Sequence, residues 1–165
     1  MSISLINDLG LLAWGHAARV RDVLLLQKKA LRVMLRRKPV ESARPLFQKL
    51  RVLTVYSQYI YNGLLFVHSN RNSFAGEGSS QVYATRGSDK LPIPFSRFAS
   101  SINAFPMRHM RMYNELPPDL KKLPTGSFGR ALKAILLGSP LYSMQEWSIV
   151  GFRQLLDGHD FNNNK

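Results

Sequence analysis

Residues 18–38, ARVRDVLLLQKKALRVMLRRK, meet no glycine or proline until Pro39 and repeat their apolar side chains with the period of an amphipathic helix. At about 100° per residue, Val20, Val23, Leu24, Leu31, Met34 and Leu35 share one arc, and Arg21, Lys28, Lys29, Arg32 and Arg36 fall on the adjoining one. The pattern predicts one helix over the whole stretch, with an apolar stripe beside a cationic stripe.

Outward from this helix, residues 19–51 hold eleven Lys/Arg against Asp22 and Glu41, so one-fifth of the chain carries +9 of the total +13 on 165 residues. A balance of this sign favours polyanionic partners, nucleic acid or an acidic membrane face, over the neutral substrate of a metabolic enzyme. With 45% hydrophobic and 20% charged residues the composition suits one globular domain. There is no cysteine, which removes disulfides, thiol nucleophiles and zinc sites with sulfur ligands. The first residues, Met-Ser-Ile-Ser-Leu-Ile-Asn-Asp, lack a basic region before an apolar one, and no apolar run approaches the roughly 20 residues of a membrane span. The expectation is an intracellular protein, nuclear or cytoplasmic, with no membrane partner.

Beyond Pro39, Pro45 suits the first residue of a short helix over PLFQKLRVL, and Thr54 suits the N-cap of a second running to about His68. Tyr56, Tyr59 and Tyr61 predict that this second helix packs through its aromatic side. Residues 69–90 read as a polar loop. Six of the nine prolines fall between Leu91 and Pro124, and extended, packed but irregular chain is expected there. Ser127 is a candidate N-cap for a helix over 128–138 with Gly138 as its stop. Ser143 and Glu146 form a capping box for a last helix to about Leu156, followed by an unstructured tail. The fold class expected is mainly α: a small helical domain with an irregular proline-rich middle section.

Catalytic patterns are missing. The four histidines lie roughly 40 to 50 residues apart with no HExxH spacing. Gly10 and Gly15 have the spacing of a phosphate-binding loop, but His16 and Ala17 stand where Lys and Ser/Thr are required. Asp157 and Asp160 supply too few oxygens for a hard cation, and there is no paired-aspartate or Gly-x-Ser-x-Gly signature. No cofactor or metal site is expected. What remains is phosphate contact through Arg21, Lys28, Lys29, Arg32, Arg36 and Arg37, with Arg86 in the polar loop as a further candidate. The plainer reading of the same stripe is a solvated helix face.

Several of these segments occur in the order of a known family. Leu11-Leu12-Ala13-Trp14-Gly15 is followed by Leu26-Gln27-Lys28-Lys29-Ala30-Leu31-Arg32, then by the Pro45–Thr54 segment and Tyr83-Ala84-Thr85-Arg86. Tyr113-Asn114-Glu115-Leu116-Pro117, the Phe128–Leu137 helix and Tyr142-Ser143-Met144-Gln145-Glu146-Trp147 complete the series. Over about residues 11–150 the chain resembles the C-terminal region of the reverse transcriptase polyprotein of non-LTR (LINE-type, jockey-like) retrotransposons.

The resemblance implies that residues 1–150 are the post-thumb region of such an RNA-directed DNA polymerase and 151–165 a helix end and disordered tail. It implies a truncated fragment of a larger protein, without the catalytic palm, the endonuclease or the Cys/His zinc knuckle of some related elements. The function expected is RNA or DNA binding through the phosphate backbone, with no enzymatic activity. Two alternatives stay open: a protein-interaction module using the apolar stripe Val20, Leu24, Leu31 and Leu35, or an expressed remnant with no function.

Overall fold

The computed structural model describes residues 19–75, 90–93, 97 and 105–149, and their side chains except those of residues 75, 148 and 149. In chain order the helices are α1 (Val20–Met34), α2 (Arg44–Lys49), α3 (Val55–Ser69), α4 (Arg71–Ala75), α5 (Met107–Glu115), α6 (Pro118–Lys121), α7 (Thr125–Gly138) and α8 (Met144–Ile149). The chain is mainly helical, with no strand among the described residues. None of these helices is long and apolar enough to cross a membrane.

Helix α3 sits in the middle. Its sequence, VYSQYIYNGLLFVHS, is apolar around most of its circumference, the pattern of a helix buried on several sides. Tyr59, Ile60, Leu64 and Val67 are wholly buried. One side packs on α5 and α7 through Ile60, Leu64, Val67, Met110, Tyr113, Phe128, Leu132 and Ile135. The N-terminal half packs on α1 and α2 through Val20, Leu24, Leu31, Leu46, Phe47, Val55 and Tyr59. At Gly63 a β-carbon would lie 2.0 Å from the His109 ring, so only glycine lets α5 approach this closely.

The start of α3 is tied to distant parts of the chain. Thr54 is extended and its hydroxyl accepts from the Ser57 N–H at 3.1 Å, which caps the helix. The same hydroxyl donates to the Leu141 carbonyl at 2.5 Å, and the Leu141 N–H donates to the Ser57 hydroxyl at 3.3 Å. From α1, the Gln27 side-chain oxygen accepts the Val55 N–H at 2.9 Å. Two first-turn amides that the helix cannot satisfy internally are thus answered by Thr54 and Gln27, and the capping hydroxyls are themselves held by Leu141.

At the other end of α3, His68 stacks on Phe128 with ring centroids 4.0 Å apart. Its Nδ1 is 3.0 Å from the Tyr113 hydroxyl and its Nε2 3.0 Å from the Leu123 carbonyl. A carbonyl only accepts, so Nε2 carries the proton and Nδ1 accepts from the phenol. Burial lowers the His68 pKa, and the Leu123 carbonyl opposes that shift. His109 is wholly buried between Tyr59 and Phe105, and neither ring nitrogen has a hydrogen-bond partner. Burial pushes its pKa down to about 4; the Tyr59 carbonyl opposes this without reaching hydrogen-bond geometry, and Arg108 adds to it.

Several boundaries differ from the sequence expectations. Helix α1 stops at Met34, before Pro39, because Arg36 turns left-handed with φ 51°. Helix α2 likewise ends at Lys49, ahead of Arg51, also at φ 51°. Within the stretch expected to be irregular, α5 and α6 form because Pro106 and Pro117 stand at helix starts, where proline needs no N–H partner, and do not interrupt helices. Helix α7 starts at Thr125 after Pro124, so Ser127 lies inside it, and Gly138 is its last residue. Helix α4 occupies part of the polar loop, whose residues 76–89 lie outside the described ones, as does the tail. In α8 the Glu146 N–H donates to Ser143 at 3.2 Å, while the Glu146 carboxylate reaches back to the Tyr142 N–H at 3.1 Å rather than to Ser143.

Two stability measurements check this account. Thr54→Val keeps the shape but leaves a first-turn amide and a buried carbonyl without partners, and is expected to cost about 2 kcal/mol in denaturant unfolding. Stability is also expected to depend on pH through the buried histidines. Above the unfolded pKa of about 6.5 both states are neutral; as pH falls towards 4 the unfolded chain takes protons that the folded chain refuses. Stability should therefore drop by about 3 kcal/mol across that window and then level off. His109→Leu should flatten most of the slope, leaving the part due to His68.

Candidate nucleic-acid interface

The apolar stripe of α1 fixes where its cations point. Val20, Leu24 and Leu31 are buried against α2 and α3, and Leu35 packs partly on the same core. The stripe expected to meet a partner is therefore closed within the chain. Met34, assigned to the same arc, is 69% exposed. At the far end of α1 no element among the described residues covers it.

From the adjoining arc Lys28 reaches the loop before α8, and Arg21 and Arg32 lie close enough to Lys28 for their charges to act on it. The Lys28 ammonium lies 3.6 Å from the centroid of the Tyr142 ring, and the Arg44 guanidinium, from α2, lies 4.7 Å from the same centroid. Phe47 meets the Tyr142 ring edge-on at 6.1 Å, and the Tyr142 hydroxyl is buried without a partner. Arg44 pairs with Glu146 at 2.9 Å. Partial burial lowers the Lys28 pKa first, and the nearby charges of Arg32, Arg44 and Arg21 lower it further against the opposing Glu146. Burial raises the Tyr142 phenol, with Arg44 and Arg32 pulling it down. Lys28 and Arg44 thus rest on one aromatic ring, with the charges of Arg32 and Arg21 acting on Lys28 and Glu146 opposing them, a field that an incoming anion would relieve.

The expected residues divide by what they touch. Arg32 donates through Nε and Nη2 to the Glu41 carbonyl, at 3.2 and 2.8 Å, and so holds the turn after α1. Arg37 leaves the cluster for a solvent-exposed pair with Glu41 at 3.7 Å, worth little in stability. Arg21, Lys29 and Arg36 are exposed, with no carboxylate partner among the described residues. Arg86 lies outside the described residues. Arg44 and Tyr142 belong to the site and were not foreseen. Arg44 sits in the basic stretch and Tyr142 in the capping segment, but only the fold brings together two segments 102 residues apart through the Arg44–Glu146 bond.

Arg36 and Arg51 are unusual. Each occupies the left-handed position that closes a helix, where glycine is favoured. After α1, the Arg36 N–H bonds the Val33 carbonyl at 3.2 Å and the Arg37 N–H the Arg32 carbonyl at 2.8 Å. After α2, Arg51 N–H to Gln48 and Val52 N–H to Phe47, at 3.1 and 3.0 Å, repeat the motif.

Nothing in this arrangement pairs a nucleophile with a base, and no group of three His, Asp or Glu among the described residues could hold a metal. None of the known protein-family models matches the chain, nor does any curated protein or solved structure.

Replacing Arg36 or Arg51 by glycine relieves the left-handed strain. Each substitution is expected to stabilise the fold by about 0.5–1 kcal/mol in thermal or denaturant unfolding. Alanine, which keeps the strain, should not.

Proposed function

We propose that the chain binds the phosphate backbone of RNA or DNA through the exposed side of α1 and the adjoining Arg44, as a binding module and not an enzyme. The observation that carries this is the placement of Lys28 and Arg44 over the Tyr142 ring, with Arg32 and Arg21 acting on Lys28 and Glu146 paired with Arg44. Lys28 and Arg44 are held by an aromatic face, so the cluster is positioned before a ligand arrives and leaves less side-chain freedom to lose on binding. The ring also offers aromatic surface beside cations, the combination used for single-stranded nucleic acid. The resemblance to the C-terminal region of non-LTR retrotransposon reverse transcriptases supports the same partner, and on that reading the chain is the non-catalytic end of an RNA-directed DNA polymerase.

A second reading, docking of a protein, is favoured by a different apolar set from the one expected. Leu26, Val33, Met34 and Val52 are 64, 78, 69 and 40% exposed. Val33→Asp with Met34→Asp tests it without touching the core, unlike any change at the buried Leu24 or Leu31.

Affinity for a single-stranded RNA, measured at two salt concentrations, checks the first reading. About four phosphate contacts predict a slope of log affinity against log salt near −3. Arg21→Gln with Lys29→Gln, both at exposed positions, should make that slope shallower by about 1 and weaken binding to all sequences alike. No binding at about 100 μM protein, or binding indifferent to salt, overturns it.

A further inference from the structure

A groove separates α1 from the end of α2. Gln27, Ala30 and Met34 line it from α1, and Leu50 and Val52 from the other side, around a cavity of about 360 Å³ above the buried Leu31 and Phe47. The Gln27 side chain is fixed there, since its oxygen accepts the Val55 N–H at 2.9 Å. Leu26 and Val33 continue the α1 wall. With Ala30 and Met34 they occupy about 100° of the helix circumference over about 12 Å of its length, and all four are exposed. Two turns of apolar surface beside a concave groove fit the apolar face of a second helix, whose anchoring side chains recur at i, i+3, i+4 and i+7.

Charge decides what kind of helix. Arg36 follows two residues after Met34, and Arg51 stands between Leu50 and Val52, so each wall of the groove carries an arginine. Both arginines are exposed and have no carboxylate partner among the described residues, while Glu41 in the turn after α1 pairs with Arg37. Both also sit at φ 51°, where glycine would remove the strain, so each position keeps a cation at a cost in stability. The same outlier on both walls of one groove points to a use for the two side chains. A second copy of the chain, at +13, would bring like charges against them. Nucleic-acid bases stack on aromatic faces, whereas the exposed Ala30, Met34 and Val52 offer no ring.

We propose that this groove docks an acidic amphipathic helix of a partner protein, its apolar side chains on Ala30, Met34 and Val52 and its carboxylates on Arg36 and Arg51. The proposal rests on the protein-docking reading above and names the chemistry of the partner.

The experiment titrates the full chain with a synthetic peptide of about fourteen residues, leucine at i, i+3, i+4 and i+7 and glutamate elsewhere, and separately with the same peptide carrying glutamine for every glutamate. The NMR signals of Ala30, Met34 and Val52 report binding. Saturable binding of the acidic peptide with Kd of about 100 μM or tighter, and about tenfold weaker binding of the glutamine peptide, is expected. Arg36→Gly with Arg51→Gly should weaken the acidic peptide about tenfold while raising the unfolding midpoint, so that the loss cannot come from unfolding. Met34→Asp with Val33→Asp, at exposed positions, should weaken both peptides. Equal affinity for the two peptides overturns the acidic partner and leaves protein docking standing, whereas no saturation with either overturns both. An unchanged affinity in the glycine variant, or a single-stranded RNA that shifts the same three signals, also overturns the proposal.

Discussion

Burying a helix on several sides at once places a strict demand on its ends. Helix α3 meets α1, α2, α5 and α7, so its first amides cannot turn to bulk water. Thr54 and Gln27 answer that demand, and together with the Ser57 hydroxyl they bind α1 and the Leu141 segment to α3 with directional contacts that apolar packing alone would not supply. The position of the Tyr142 ring follows from this. Tyr142 is the next residue after Leu141, and Lys28 the next after Gln27, so the polar knot at the start of α3 sets both partners of the cation–aromatic contact.

The excess of thirteen positive charges divides into different physical roles once the fold is known. Arg32 and Lys121 brace backbone carbonyls, Arg37 and Arg44 pair with glutamates, and Lys28 rests on an aromatic face. Arg21, Lys29 and Arg36 stay open to solvent. Segments quoted for the family resemblance also acquire structural duties. In Tyr113-Asn114-Glu115-Leu116-Pro117 the phenol bonds His68, the amide clasps Leu91, the leucine is buried and the proline precedes α6.

The helical class, the α1 periodicity, the Thr54 cap and the Ser143–Glu146 contact were legible because each is a local pattern within a few residues. Helix α5 was hidden: its prolines read as breakers, whereas in the fold they bracket it. The ends of α1 and α2 were hidden as well, since arginine at a left-handed position has no local signature where glycine would announce the turn. Of the site, the cationic arc of α1 could be read from spacing. Its depth could not, because Arg44, Tyr142 and Glu146 reach it only through tertiary contacts.

The knot at the start of α3 has a consequence for how the chain acquires its structure. Its bonds span separations of 28 residues, from Val55 to Gln27, and of 87, from Thr54 to Leu141. Long loops must close before such bonds return any energy, which slows folding compared with a bundle of neighbouring helices. During synthesis α1, α2 and α3 emerge well before residue 141. Until it arrives, the hydroxyls of Thr54 and Ser57 lack the backbone they hold in the finished fold. The N-terminal half is thus an incomplete folding unit, and the loop ahead of α8 is the part that closes it.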